Sequence, residues 1–375
     1  MAAVAENASF QRIGLIKHVS PSRAAALLAC SLSEAFRASN SAPRLPTHPR
    51  AHFGILAHTF LRDASRGLFS EMSEFALKEV WRSRVKSYEE GLGRSNTGAA
   101  VLPLMRSCRD FEVNSLRLIR SVATYVLRAP RSPGEDQKRQ STEAEAASID
   151  GKIVGRLDRI AWQNGELFVT DIKTGKTSDP NGRLRKELRI QIMLYGYLVH
   201  EKFGQWPRIL RVLPLHGDPV EVNASPSEIT SLANGMRQAL EKANSHIGEI
   251  LAGRRQETDL ASPSPEACRY CSFRLTCDAY WAAKQKHSNQ GWPRDLSGSI
   301  TAIIPLGNAI TVTEIGGDVK TTRVIRGLPN SVFSKVRHGV HIRVCDLKAE
   351  RAAGVYSWRP NSFLWQAQAA ELAPI

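Results

Sequence analysis

Two dipeptides constrain this chain more than any other feature. Asp150-Gly151 and Asn164-Gly165 separate three apolar stretches, "EAEAASI", "KIVGRLDRIAWQ" and "ELFVTDIK". Asp-Gly and Asn-Gly favour the two-residue turn whose twist matches that of paired strands. A three-stranded antiparallel meander is therefore expected. A basic helical stretch follows, "RLRKELRIQIMLYGYLVHEKFG", ending at Gly204, and "RILRVLPL" reads as a fourth strand. Ser225-Pro226-Ser227-Glu228 matches a capping box and opens a long helix that ends at Gly253.

The residues before the meander read as helical. Ser20-Pro21 starts a helix that carries Leu27, Leu28, Cys30 and Leu32 toward Phe36. Residues 54–87 are helical with a break near Arg66-Gly67, and 102–128 place Leu116, Ile119, Val122 and Val126 at helical spacing. Residues 129–142 are polar and turn-rich, hence a loop. Helices followed by the order βββαβα predict a mixed α/β domain over residues 1–285. Beyond the polar linker "KQKHSNQGWPRD" the pattern changes to short β-rich stretches separated by Gly and Asn turns. That predicts a small all-β, OB-like domain over residues 297–375.

Lys and Arg number 51 against 36 Asp and Glu, a net charge of +15, which suits a polyanionic partner such as DNA. No apolar run is long enough to span a membrane and no secretion signal opens the chain, so a cytoplasmic protein is expected. In that compartment six cysteines are metal ligands or buried apolar groups rather than disulfides.

"ELFVTDIKTGKT" ends like a phosphate-binding loop. That motif needs a glycine five residues before Gly175, where Thr170 stands. The chemistry lies one step earlier. Asp171 and Lys173 are two apart on a strand and share a face. Asp158 in "GRLDRI" meets Asp171 if the Asn164-Gly165 turn pairs the two strands. Two converging carboxylates repel unless a cation lies between them. Hard oxygen ligands suit Mg²⁺ or Mn²⁺, which acidifies bound water and polarises a phosphate. Lys173 would orient that water or stabilise charge building on phosphorus. The bland alternative is three surface residues in a polar hairpin.

These residues, in this order, resemble the PD-(D/E)xK nuclease superfamily. They are most similar to its RecB-like branch, which includes the CRISPR-adaptation nucleases and the nuclease domains of recombination helicases. Asp158 in "GRLDRI" matches the family's Gly-x-x-Asp acid, and Asp171 with Lys173 its acid-x-Lys element. His58, four residues after Gly54, looks like the helical metal-ligand histidine. Gln191 and Tyr195 in "QIMLYGYL" match the Gln-x-x-x-Tyr helix motif. The resemblance implies a restriction-endonuclease-like mixed sheet flanked by helices. It also implies that the Ile172 carbonyl binds metal, and that Gln191 and Tyr195 position catalytic groups or DNA. The expected activity is hydrolysis of DNA phosphodiester bonds, with single-stranded or frayed DNA as substrate. The expected setting is repair, recombination or antiviral defence, beside a helicase or a defence-system partner. The alternative is a non-catalytic DNA-binding scaffold with a vestigial site, against which the retention of His58, both acids and Lys173 argues.

Cys268, Cys271 and Cys277 have C-x2-C-x5-C spacing, and three thiolates leave one ligand position open. The resemblance fills it from upstream with Cys30 and implies a 4Fe–4S cluster on the four. Zinc is the competing metal. Ser31 stands where the family often has proline. Cys108 and Cys345 read as buried small hydrophobes. Arg183, Arg185, Lys186 and Arg189, next to Gln191, form a solvated face or a phosphate track, and Glu187 beside them could assist metal or water. In the β-rich region Arg323, Arg326, Lys335, Arg337, Trp358 and Arg359 are the candidates for contact with a single strand. A packing module is the equal alternative there.

Overall fold

The computed structural model describes residues 4–5, 12–41, 45–128, 141–215, 217–287, 291–316 and 319–366. Of the loop expected at 129–142, all but Ser141 and Thr142 lies outside the described residues, and those two begin a strand.

The central sheet has five strands: β2 (Ser141–Ala147), β3 (Val154–Gln163), β4 (Glu166–Lys173), β5 (Ile209–Pro214) and β6 (Val220–Val222), side by side in that order. The meander forms, but only Asn164-Gly165 makes the expected two-residue turn; Asp150-Gly151 lies in a longer loop between Ala147 and Val154. Asn164 and Gly165 both have positive φ, and β3 pairs antiparallel with β4 from Gln163↔Glu166 to Arg159↔Thr170. β5 instead runs parallel to β4, and β6 returns antiparallel to β5. A parallel neighbour needs a crossover, and the helix Lys186–Phe203 supplies it between β4 and β5.

In chain order the helices are α1 (Ala24–Ala29), α2 (Ser31–Ala38), α3 (Pro49–Ser65), α4 (Glu74–Leu92), α5 (Asn96–Ala99), α6 (Leu104–Ser107) and α7 (Phe111–Arg128). Then follow α8 (Lys186–Phe203), α9 (Pro226–Leu251), α10 (Pro265–Cys268), α11 (Asp278–Lys286) and α12 (Asn330–Phe333). Every residue of α8 from Ile190 to Val199 is buried, so this helix is apolar on all sides because it is enclosed on all sides. α9 closes over it and starts at the expected capping box, with Ser225 accepting from the Glu228 N–H and the Glu228 side chain accepting from the Ser225 N–H. Two glycines set how closely α8 approaches. A Cβ on Gly155 in β3 would stand 2.8 Å from the Pro21 ring and 3.1 Å from Leu198 of α8. A Cβ on Gly196 would stand 2.9 Å from Leu210 of β5.

The first helix differs from the expectation. It stops at Ala29 and restarts at Ser31, because Cys30 is extended (φ −162°, ψ 103°) while its N–H still bonds to Ala26. The helix expected over 102–128 also breaks, into α6 and α7, with Asp110 at φ 63° between them. α8 begins only at Lys186, and residues 178–184 form a short bridged loop instead.

α3, α4, α6 and α7 enclose a second apolar core, around Phe53, Phe60, Leu77, Trp81, Leu104 and Phe111. α3 thus belongs to this helical layer while it lies against the sheet. The fold is a mixed α/β restriction-endonuclease-like one, with an all-β unit at its C-terminal side. That unit is an eight-stranded sheet with neighbours in the order β1-β13-β10-β7-β8-β9-β12-β11. Its strands are β1 (Val4–Ala5), β7 (Leu296–Ile304), β8 (Ala309–Gly316), β9 (Val319–Arg326), β10 (His341–Cys345), β11 (Lys348–Ala349), β12 (Val355–Ser357) and β13 (Phe363–Gln366). It has its own core around Ile300, Ile310, Ile325, Val332, Ile342 and Leu364. Among the described residues no helix is long and apolar enough to cross a membrane.

The glycine contacts give a direct stability test. Gly155→Ala, which sets a methyl against the rigid Pro21 ring, should lower the free energy of urea unfolding by about 1–3 kcal/mol, the usual cost of overpacking. Gly151→Ala is the control for a change that meets no neighbouring atom, since its cost is only that of the positive φ.

Candidate active site

The site lies where β3 and β4 part. Arg159↔Thr170 is the last ladder pair, and the next opposed residues are Asp158 and Asp171. Beyond the ladder, the Ile172 N–H donates to Asp158 Oδ2 at 2.7 Å instead of to a strand carbonyl. N–H and C=O of one residue in a strand point to the same side, so the Ile172 carbonyl faces Asp158 as well. The expected pairing of the two acids and the carbonyl thus follows from a hairpin that opens at its base.

Asp171 is 1% exposed. Its Oδ1 accepts from Lys173 Nζ and from Gln191 Nε2, both at 3.2 Å. Lys173 Nζ also stands 2.9 Å from Oδ2, an ion pair whose direction does not make a hydrogen bond, and Oδ2 accepts none from elsewhere. Gln191 Nε2 donates in turn to the Tyr195 hydroxyl at 3.3 Å, one helical turn on. From the helical layer, His58 of α3 brings Nδ1 within 3.6 Å of Asp158 Oδ1. His58, Asp158, Asp171, Lys173, Gln191 and Tyr195, contributed by α3, β3, β4 and α8, therefore form one connected constellation.

Its electrostatics follow from burial. Desolvation pushes the Asp171 carboxyl up to about 6, against the pull of Lys173 and with the push of Asp158. Tyr195 is raised too, by burial and by the charge of Asp171. The Lys173 ammonium is the cation paired with Asp171. Among the described residues no three of His, Cys, Asp or Glu are close enough to hold one metal ion as they stand. The donor set nevertheless fits a hard divalent cation: two carboxylates, a carbonyl on the same side, and a buried Asp171 oxygen that accepts no hydrogen bond.

The basic run at the start of α8 is tied locally. Arg185 donates to the Lys176 carbonyl at 3.5 Å and pairs with Glu187, and Arg189 donates to the Asn223 carbonyl at 3.2 Å. Glu187 is held by Arg185. In the β unit Arg323 pairs with Glu314, Arg337 bonds its own loop, and Trp358 packs partly into the core, while Arg326 and Arg359 are exposed.

Cys30, Cys268, Cys271 and Cys277 all line one cavity of about 150 Å³ between α1–α2 and the 261–280 segment. The break at Cys30 turns that residue out of the helix. Burial raises the three C-terminal thiols, Cys268 to about 11 and Cys277 to about 12. Cys108 is buried among apolar neighbours, whereas Cys345, also packed in an apolar cluster, meets Asp295 of a buried ionic group. Sequence reasoning missed the ionic knot beside the cavity. Arg274, 3% exposed and lying between Cys271 and Cys277, donates to Asp295 Oδ2 at 2.8 Å and pairs with Asp346 Oδ1 at 2.8 Å. Tyr280 donates to the same Asp295 oxygen at 2.8 Å. An arginine flanked by cysteines was the available signal, but its acids are 21 and 72 positions away, beyond any local pattern.

Fold and constellation together define a class: a mixed α/β scaffold carrying paired acids and a lysine where a hairpin opens. Residues 18–278 match the model of the PD-(D/E)XK nuclease superfamily, and the chain belongs to that superfamily. No curated protein matches it. Among solved structures it is similar to the crystal structure of SSO0001, at 19% identity over 53% of this chain and 81% of that one. The TM-score of that pair is 0.25, too low to carry an argument.

The buried acid makes a testable cost. The folded state raises the Asp171 pKa above its unfolded value of about 3.9, so it favours the neutral form. The penalty is full above about pH 6 and fades as pH falls toward 4. Asp171→Asn should therefore stabilise the metal-free protein at pH 7.5, by up to about 3 kcal/mol in urea unfolding, and the gain should shrink at pH 4.5.

Proposed function

We propose that this chain is a divalent-metal-dependent deoxyribonuclease of the RecB-like branch, hydrolysing phosphodiester bonds in single-stranded or frayed DNA. The observation that carries the reading is the convergence of His58, Asp158, Asp171, Lys173, Gln191 and Tyr195 at the opening of one hairpin. Asp158, Asp171, the Ile172 carbonyl and His58 would hold Mg²⁺ or Mn²⁺. The ion, when bound, acidifies a water and polarises a phosphate oxygen.

The remaining steps belong to the chain's own groups. Gln191, itself braced on Tyr195, holds Asp171 in one rotamer by its amide donation. The Lys173 ammonium, beside Asp171, would orient the attacking water and stabilise the charge growing on the phosphoryl oxygens. Asp171 must be ionised to serve, which its raised pKa allows at neutral pH. The net charge of +15 supports a polyanionic substrate. Exposed arginines of the β unit, Arg326 and Arg359, extend the basic surface available to a strand. A helicase or a defence-system protein would supply the opened DNA, in repair, recombination or antiviral defence.

We further assign the cysteine cavity to a 4Fe–4S cluster on Cys30, Cys268, Cys271 and Cys277. One zinc ion would draw four sulfurs to about 2.3 Å from a single point. The four cysteines line one cavity, and the C-x2-C-x5-C spacing with one remote ligand favours the cluster. Its role is to join α1–α2 to the C-terminal end of the nuclease region.

The test of activity is cleavage of end-labelled single-stranded DNA with Mg²⁺ or Mn²⁺. Wild type should cut, Asp171→Ala should not, and Lys173→Ala should lose about 100-fold or more in rate. A wild type that cuts nothing, or an Asp171→Ala variant that cuts equally well, overturns the proposal. The cluster predicts a brown protein absorbing at roughly 400 nm. A colourless protein containing zinc overturns that assignment alone.

A further inference from the structure

Besides its seat in the second apolar core, the helix that carries His58 is tied at two further points, neither of them at the acids. Leu45, shortly before α3 begins, is 2% exposed and packs with Leu275, Cys345, Phe363 and Trp365. Its backbone N–H donates to the Ser272 carbonyl at 2.9 Å. Ser272 and Leu275 lie between Cys271 and Cys277, and the other three residues lie on β10 and β13 of the β unit. The entry to α3 is thus plugged into the junction of the cysteine segment and the β unit. His48, the N-cap of α3, accepts from the Arg50 N–H at 3.2 Å and sets its ring edge-on to Tyr270 at 5.9 Å.

The second point is Gly54. A Cβ there would stand 3.3 Å from Thr174 Oγ1, the residue that follows Lys173, and would otherwise meet open space. Gly54 and His58 are one turn apart and share a face of α3. The bare backbone at Gly54 lets the helix rest on the end of β4, while Leu45 ties the chain just before the helix to the junction. Metal–ligand distances tolerate only about ±0.2 Å, so a small shift of α3 removes His58 from coordination.

We propose that Leu45 and Gly54 are positioning residues for His58, so that the junction of the cysteine segment and the β unit sets metal affinity about 14 Å away along α3. This rests on the reading of His58 as a metal ligand. The test is calorimetric titration of Mn²⁺ into the metal-free full chain. Leu45→Ala and Gly54→Val should each weaken binding by about 10-fold, the lower end of the range for groups that orient a ligand. In a His58→Ala background neither should weaken it further, because both act through that side chain. Leu45→Met, which keeps the volume, should bind as wild type does.

Wild-type affinity in both Leu45→Ala and Gly54→Val overturns the proposal. So does a loss of the same size with and without His58, which marks general destabilisation. If His58→Ala binds Mn²⁺ normally while Asp171→Asn does not, the ligand assignment of His58 fails, and the proposal falls with it while the acid site stands. Should Leu45→Ala fail to fold, Leu45→Val and the Gly54 cycle decide the matter.

Discussion

A carboxylate buried beside a second carboxylate is the constraint on which this structure turns. Asp171 is almost fully removed from water and directly opposes Asp158 across a hairpin that has stopped pairing. Burial of an acid is tolerated only with compensation, and three groups give it: the Lys173 ammonium, the Gln191 amide and, indirectly, the Tyr195 hydroxyl that braces the amide. The compensation is incomplete, and the carboxyl remains raised. A site that is costly without a cation and chemically apt for one supports the proposed metal-ion reading.

The surrounding fold follows from that need. α8 must be enclosed to bring Gln191 and Tyr195 to the end of β4, and glycines at 155 and 196 let it sit close enough. The acids and the histidine come from different layers, since His58 belongs to a helical layer with its own core. The constellation is therefore a contact between two packed bodies, and on the proposed reading its geometry depends on how α3 is seated. The seat includes the β unit, whose Asp295 and Asp346 grip Arg274 of the cysteine segment. The β unit is joined to the segment through that buried ionic knot, in addition to any contact it makes with nucleic acid.

Much of this was legible from local chemistry. Asn164-Gly165 specified the turn, alternation put Asp171 and Lys173 on one face, and the capping box at Ser225 opened α9. The site residues stood in the motif order of the superfamily, so His58, Asp158, Gln191 and Tyr195 could be placed together before any coordinates. What stayed hidden was set by distant partners. The break at Cys30 occurs inside a good helical pattern, because the residue serves a cavity built by residues 240 positions away. The parallel alignment of β5 depends on the crossover helix, and the short β6 carries too little pattern to register. Arg274, Asp295 and Asp346 carry no local pattern, since each gains meaning only when the others are buried against it. The tight Gly54–Thr174 approach is likewise a property of two elements and not of either sequence.

The central claim is that the Lys173 ammonium stands where a divalent cation belongs. A crystal structure of the protein soaked in Mn²⁺, with data at the manganese absorption edge, tests it most directly. The account predicts an anomalous peak between Asp158 and Asp171, in contact with the Ile172 carbonyl, with Lys173 moved off Asp171 and His58 closed on the ion. Lys173 still seated on Asp171, with manganese bound elsewhere or nowhere, would contradict it.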